Sequence, residues 1–178
     1  GFVGRNGRGK TTFLNLLLGK YEYKGSIRAS VRFTYFPFSV ADPARDTIDV
    51  LAEATEGAPE WKLLRELGRM GMDVELLYRS FESLSPGERT RALLAALFLR
   101  ENNFLLIDEP TNHLDVEGRA LLRDYLRTKK GFILVSHDRA FLDGCVDHIL
   151  SINRANITVT RGNFSTWWEN KARTRCAI

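Results

Sequence analysis

Gly4-Arg5-Asn6-Gly7-Arg8-Gly9-Lys10-Thr11-Thr12 decides how the rest of the chain is read. Glycines at two fixed places, followed by Lys and then Thr, let the backbone curl so that successive N–H groups point at phosphate oxygens. Side chains at the glycines would block that approach. The cradle comprises Asn6, Gly7, Arg8 and Gly9, with Lys10, Thr11 and Thr12 at its end. Lys10 is placed to bridge terminal phosphates, and the Thr11 hydroxyl to ligate Mg²⁺. Thr12 to Leu18 reads as a helix whose N-terminal dipole favours anions, and Gly19 stops it. An ordinary Gly-rich turn before a helix is the bland alternative. The pattern points instead to a nucleoside triphosphate.

A loop of this kind follows a buried strand. Only Gly1-Phe2-Val3 precede it, which leaves room for no more than a strand's tail. The expectation is a piece of a longer protein whose first strands are missing. The 178 residues make one domain, large enough for a sizeable core. With 44% hydrophobic and 27% charged residues, the balance is that of a soluble globular chain. The longest apolar stretch, Ala92 to Leu99, is far short of the ~20 residues that span a membrane. The start lacks the basic and apolar segments of a secretory signal. Cys145 and Cys176 match no metal or redox spacing and suit a reducing cytosol, one buried and one incidental. A net charge of +4 permits a nucleic-acid partner without demanding one.

Further along, Ser26 to Phe36 alternates enough for one or two strands. Pro43 to Ser80 reads as mostly helical, with Trp61, Leu63, Leu64 and Leu67 on one face. Phe104 to Ile107 and Phe132 to Val135 are continuous apolar runs, as expected of strands buried on both faces. Between them Val116 to Lys129 is an amphipathic helix carrying Leu121, Leu122, Tyr125 and Leu126, closed by Gly131. His148 to Ile152 and Ile157 to Thr160 form a hairpin around Asn153 to Asn156. Strands and helices alternating around buried runs predict an α/β fold with a parallel sheet.

Three more stretches carry chemistry. In Phe104 to Asp115, FLLIDEPTNHLD, the strand ends in two carboxylates at the sheet's carboxyl edge. Asp108 is suited to holding Mg²⁺, and Glu109 to orienting and deprotonating a water. An acidic turn after a strand is the plain alternative; pairing with the phosphate loop argues against it. Leu84-Ser85-Pro86-Gly87-Glu88 begins a helix, Arg89 to Arg100, with Ser85 as N-cap, Pro86 in the first turn and Glu88 closing a capping box. Ser136-His137-Asp138 puts His137 at the end of a second strand, able to touch a phosphate.

GRNGRGKTT (4–12), LSPGE (84–88), LLIDEPTNHLD (105–115) and LVSHD (134–138) resemble, in order and spacing, the Walker A, signature, Walker B with D-loop, and H-loop motifs of ATP-binding cassette (ABC) ATPases. The resemblance covers residues 1 to about 150. It implies a P-loop NTPase of ABC type, with a parallel core sheet flanked by helices and its N-terminal strands missing. The short helical subdomain would run over about 42–100, including the signature helix. The short middle segment and the tail GNFSTWWENK (162–171) resemble the ABC-F class, which acts on the ribosome with two cassettes on one chain. EPTNHLD followed by that tail is similar to the first cassette of the subgroup that protects bacterial ribosomes from antibiotics. About 165–178 would then begin the inter-cassette linker, a solvated terminal helix being the plain reading.

The resemblance implies ATP and Mg²⁺ as cofactors, with Thr11 and Asp108 on the metal, Glu109 aligning the water and His137 on the γ-phosphate. Ser85, Gly87 and Glu88 join the nucleotide-binding set, with Ser85 and Gly87 reaching the nucleotide of a partner cassette. Partners would be a second cassette and the ribosome or its RNA, in the cytoplasm. One cassette alone would be weakly active or inactive. Three departures matter: Pro86 replaces the usual glycine, Phe38 replaces the Q-loop glutamine, and the strands carrying an adenine-stacking aromatic are absent. Proline at 86 should leave Ser85 Oγ and the Gly87 N–H free for phosphate. The ATPase subunit of a membrane transporter is the alternative, against which the short, glutamine-poor middle segment argues. A nucleotide-binding module without turnover is another, disfavoured by the presence of both Glu109 and His137.

Overall fold

In the computed structural model, residues 1–4, 9–153 and 156–176 are described, with side chains up to 173. The chain runs β1 (Phe2–Val3), α1 (Lys10–Leu17), β2 (Arg32–Phe36), α2 (Thr47–Ala54), α3 (Glu60–Arg69), α4 (Pro86–Leu97), β3 (Asn103–Asp108) and α5 (Val116–Arg127). It continues through β4 (Phe132–Val135), α6 (Arg139–Cys145), β5 (His148–Ile152), β6 (Ile157–Arg161) and α7 (Phe164–Cys176). β2, β3 and β4 pair in parallel with β3 central; β1 pairs parallel with β5, and β5 antiparallel with β6. β1 also packs beside β4, so the two sheets meet there.

Strand alternation divides the core. Along β3, Leu105 and Ile107 enter a large cluster with α2 to α5, while Leu106 enters a smaller one with Phe2, Leu14 and Val135 under α1. A strand apolar at every position is what a sheet covered on both faces requires. Gly19, at φ 70°, terminates α1: its N–H bonds to the Leu16 carbonyl and that of Lys20 to Asn15.

One expectation narrows and another needs correction. Ser26 to Phe36 yields one strand, Arg32–Phe36, because the ladder with β3 begins at Arg32 opposite Asn103, and residues 26–30 are exposed. On α3, Leu63 and Leu67 are buried, but Trp61 is 59% exposed and Leu64 38%. The buried arc is Leu63, Glu66, Leu67 and Met70. Trp61 lies two residues, about 200°, from Leu63 and points outward. There Lys62 and Arg65 lie over its ring at 5.7 and 5.4 Å.

The inward carboxylate was not anticipated. Glu66, 1% exposed, accepts from the Tyr125 hydroxyl at 2.5 Å, from Arg69 at 3.1 Å and from Lys129. It fastens α3 to the end of α5. Burial alone would push its carboxyl up; the bonds from Lys129 and Tyr125 and the charges of Lys129 and Arg69 outweigh that and hold it below its usual range. Cys145 is buried as expected, and that burial pushes its thiol up to about 12. Cys176 lies outside the described side chains.

Candidate nucleotide site

Gly9 caps α1 with φ 85°, a left-handed backbone that glycine adopts without strain, and Phe13 N–H makes the first helical bond to its carbonyl. Lys10, Thr11 and Thr12 therefore occupy the first turn, where the helix dipole favours anions. Lys10 Nζ donates to the Gly4 carbonyl at 2.8 Å, back across the loop. Asn6, Gly7 and Arg8 lie outside the described residues. A cavity of about 320 Å³ is lined by Gly9, Lys10, Thr11, Thr12, Asp108, Glu109 and His137, with Leu14 and Val135 beneath. Seven residues singled out from three separate motifs thus share one space.

The strand ends set the acidic wall. Glu109 follows β3 with φ 49°, uncommon for a residue with a side chain, and its N–H bonds to the Val135 carbonyl at 2.8 Å. That bond ties the ends of β3 and β4 together. Glu109 Oε2 accepts the His137 N–H at 3.2 Å. His137 Nε2 lies 3.2 Å from Oε1, but off the direction a hydrogen bond needs; Oε1 is buried without a hydrogen bond among the described residues.

The Asp108 carboxylate has a partner that the sequence reading missed. Tyr35 Oη donates to Asp108 Oδ2 at 2.8 Å. Tyr35 stands opposite Leu106 in the parallel ladder, and alternation puts Asp108 on the face of Leu106. Burial, then the bond to Asp108 and its charge, push the phenol up to about 12. Phe38 turns away: Arg100 lies over its ring at 5.0 Å while donating to the Ala54 carbonyl at 2.7 Å.

Ser85, Gly87 and Glu88 are not in the cavity. The capping box forms as expected, with Glu88 N–H on Ser85 Oγ at 3.2 Å and Ser85 N–H on Glu88 Oε2 at 2.8 Å. Ser85 Oγ is therefore engaged rather than free, though its own hydrogen remains to donate. A Cβ at Gly87 would stand 2.9 Å from the His113 carbonyl oxygen, so the start of α4 packs directly on the turn after Glu109.

At the far end, α7 docks on α6 through Ser165 N–H on Asp143 Oδ1 at 2.8 Å. Phe164, Trp167 and Trp168 cluster there; Arg139 lies over Phe164 and Trp168 at 5.4 and 5.3 Å, and Lys171 over Trp167 at 4.4 Å. A second cavity, about 350 Å³, runs from this cluster to Lys10 and His137.

Mg²⁺ takes oxygen ligands, commonly one or two carboxylates together with substrate phosphates. Asp108 and Thr11 on one cavity fit that donor set, and among the described residues no group of three His, Cys, Asp or Glu offers an all-protein cage. The described helices include none long and apolar enough to cross a membrane.

A helix N-terminus and two strand ends converging on one cavity of about 320 Å³ define a P-loop nucleotide-binding fold. A family model described as ABC transporter matches residues 1–112, and the chain belongs to that family. It is 34% identical over 172 residues to mouse ATP-binding cassette sub-family F member 3, covering 93% of this chain and 24% of that protein. An ATP-binding protein Uup-like of Haemophilus influenzae is 40% identical over 153 residues, covering 79% of this chain and 33% of the relative. The chain thus spans about a quarter to a third of these relatives. A solved complex of archaeal ribosomal stalk protein aP1 with archaeal ribosome recycling factor aABCE1 superposes with a TM-score of 0.68 at 31% identity, over 84% of this chain and 31% of that one.

Proposed function

We propose that this chain is an ATP-binding and ATP-hydrolysing cassette of ABC-F type, and that the full protein works on the ribosome in the cytoplasm. The observation that carries the ATPase reading is the single cavity shared by Lys10, Thr11, Asp108, Glu109 and His137. Lys10 and the amides at the start of α1 stabilise the charge that develops on the phosphates. Mg²⁺, held by Thr11 and Asp108 with the phosphates, would neutralise that charge further. Glu109 aligns a water and takes its proton as the oxygen attacks the γ-phosphorus; the bond to the bridging oxygen breaks, releasing ADP and phosphate. His137 contacts the γ-phosphate.

Ser85 and Gly87 lie outside this cavity, consistent with contact to the nucleotide of a second cassette, and Glu88 lies outside it too. On this reading 42–100 is the helical subdomain and 165–178 the start of the inter-cassette linker. The ribosome reading is supported by the sub-family F relative and by likeness to a ribosome recycling factor. Protection from antibiotics is its finer form, resting on EPTNHLD and GNFSTWWENK alone.

The test uses the full-length protein with Glu109→Gln. In ATP it should co-sediment with 70S ribosomes, and added salt should weaken that association as phosphate contacts release counterions. Retention of an integral-membrane partner, with no ribosome binding at low salt, would replace this reading with a transporter subunit.

A further inference from the structure

We propose that Tyr35 is a positioning residue for the metal side of the site: its hydroxyl holds one oxygen of Asp108 and leaves the other for Mg²⁺ or a water on it. The assignment rests on the nucleotide reading above. Tyr35 Oη donates to Asp108 Oδ2 at 2.8 Å, while Oδ1 accepts no hydrogen bond from the described residues. A carboxylate at a strand end rotates about χ2 unless one oxygen is held, and a free rotor presents its lone pairs to a cation only part of the time. The phenol removes that freedom without adding charge.

The ring and the hydroxyl have different duties. The Tyr35 ring packs against the Phe2, Leu14, Leu106 and Val135 cluster, with Lys20 Nζ 5.7 Å from its centroid. Those contacts account for an aromatic at this position but not for its oxygen. Tyr35 lines a cavity of about 290 Å³ with Thr90, Asp108, Glu109 and His113, and Asp108 and Glu109 are the residues this cavity shares with the phosphate space. The Tyr35 cavity reaches the signature helix and the turn after Glu109. Tyr35 thus sits where α4, the D-loop and the metal carboxylate meet. Phe38, three residues on, is committed to Arg100, so the polar contact on this wall falls to Tyr35.

Outer-shell partners of a metal ligand cost about 10–100-fold in metal affinity when lost. In the full-length protein with its other site disabled, Tyr35→Phe should weaken Mn²⁺ binding at saturating ATP about tenfold, read by electron paramagnetic resonance. ATP binding in EDTA should change less than about twofold, since no phosphate contact is touched. Replacing Tyr35 by 4-aminophenylalanine, which keeps a donor at that place, should restore most of the Mn²⁺ affinity. If Tyr35→Phe does not fold, 4-fluorophenylalanine, which nearly keeps the bulk and cannot donate, takes its place beside the 4-amino variant. Equal Mn²⁺ affinity for donor and non-donor variants overturns the assignment and leaves the ATP reading standing. A wild type that binds neither ATP nor Mn²⁺ overturns both.

Discussion

At the scale of single residues, the proposed function divides the work of the site between Lys10 and Glu109. Glu109 is held by its own N–H on the Val135 carbonyl and by the His137 N–H on Oε2, and the residue as a whole lines the cavity. Glu109→Gln preserves the shape and loses the base, so turnover should fall by about 10²–10⁴-fold while ATP stays bound. A single-turnover assay with the other cassette disabled measures it, and wild-type turnover would show that Glu109 has another role. Lys10→Ala removes the cation proposed to meet the β/γ-phosphates in a partly desolvated pocket. Calorimetry on the same background should show ATP affinity down by at least about tenfold, for the loss of one charge-assisted bond of about 1.5–3 kcal/mol.

Elements meet at two places where one atom too many, or one charge too few, should be felt. Gly87 lets the first turn of α4 lie on the D-loop backbone, and a methyl there would meet the His113 oxygen at 2.9 Å. Gly87→Ala should cost about 1–3 kcal/mol of stability and displace the turn after Glu109. Thermal unfolding reports the first effect. ATPase rate against ATP affinity of this cassette, with the second site disabled, reports the second, since Gly87 lies outside its own phosphate cavity. The other place is Glu66, which joins α3 to α5 through Tyr125 and Lys129. Glu66→Ala should destabilise by about 3 kcal/mol, because it strips a buried pair of one partner. The folded Glu66 carboxyl sits below its ordinary range, so its stabilisation is present above the unfolded value, about 4.3. It should fade as pH falls from there through the lower folded value. Acid unfolding curves of wild type and Glu66→Gln, which converge below that window, are the check.

For the whole molecule, the basic and aromatic end matters most. Trp168 is 48% exposed and Arg173 is exposed, a surface able to stack on bases and neutralise phosphates. The Arg175 side chain lies outside the described residues. Charge reversal at Arg173 and Arg175 in the full protein should weaken salt-sensitive ribosome co-sedimentation and leave ATP affinity at Lys10 unchanged. Trp167 and Phe164 are a different case, because both pack against the main core and so tie α7 to the cassette.

What could be read from the order of residues was whatever depends on short range. The left-handed Gly9 before Lys10, the apolar runs of β3 and β4, the Ser85–Glu88 capping box and the stop at Gly19 are each fixed within a few residues by backbone sterics, alternation and local hydrogen bonds. Trp61 was misplaced because a helical face is chosen by what packs on it, and a buried Glu66 rather than a second aromatic turned inward. Phe38 read as a lost contact at the metal site. Only the pairing of β2 with β3, across more than seventy residues of sequence, brings the Tyr35 hydroxyl to Asp108 and sends Phe38 to Arg100. Parallel register has no local code: it is set when both faces of the sheet are covered, and only then do side chains far apart in sequence acquire neighbours.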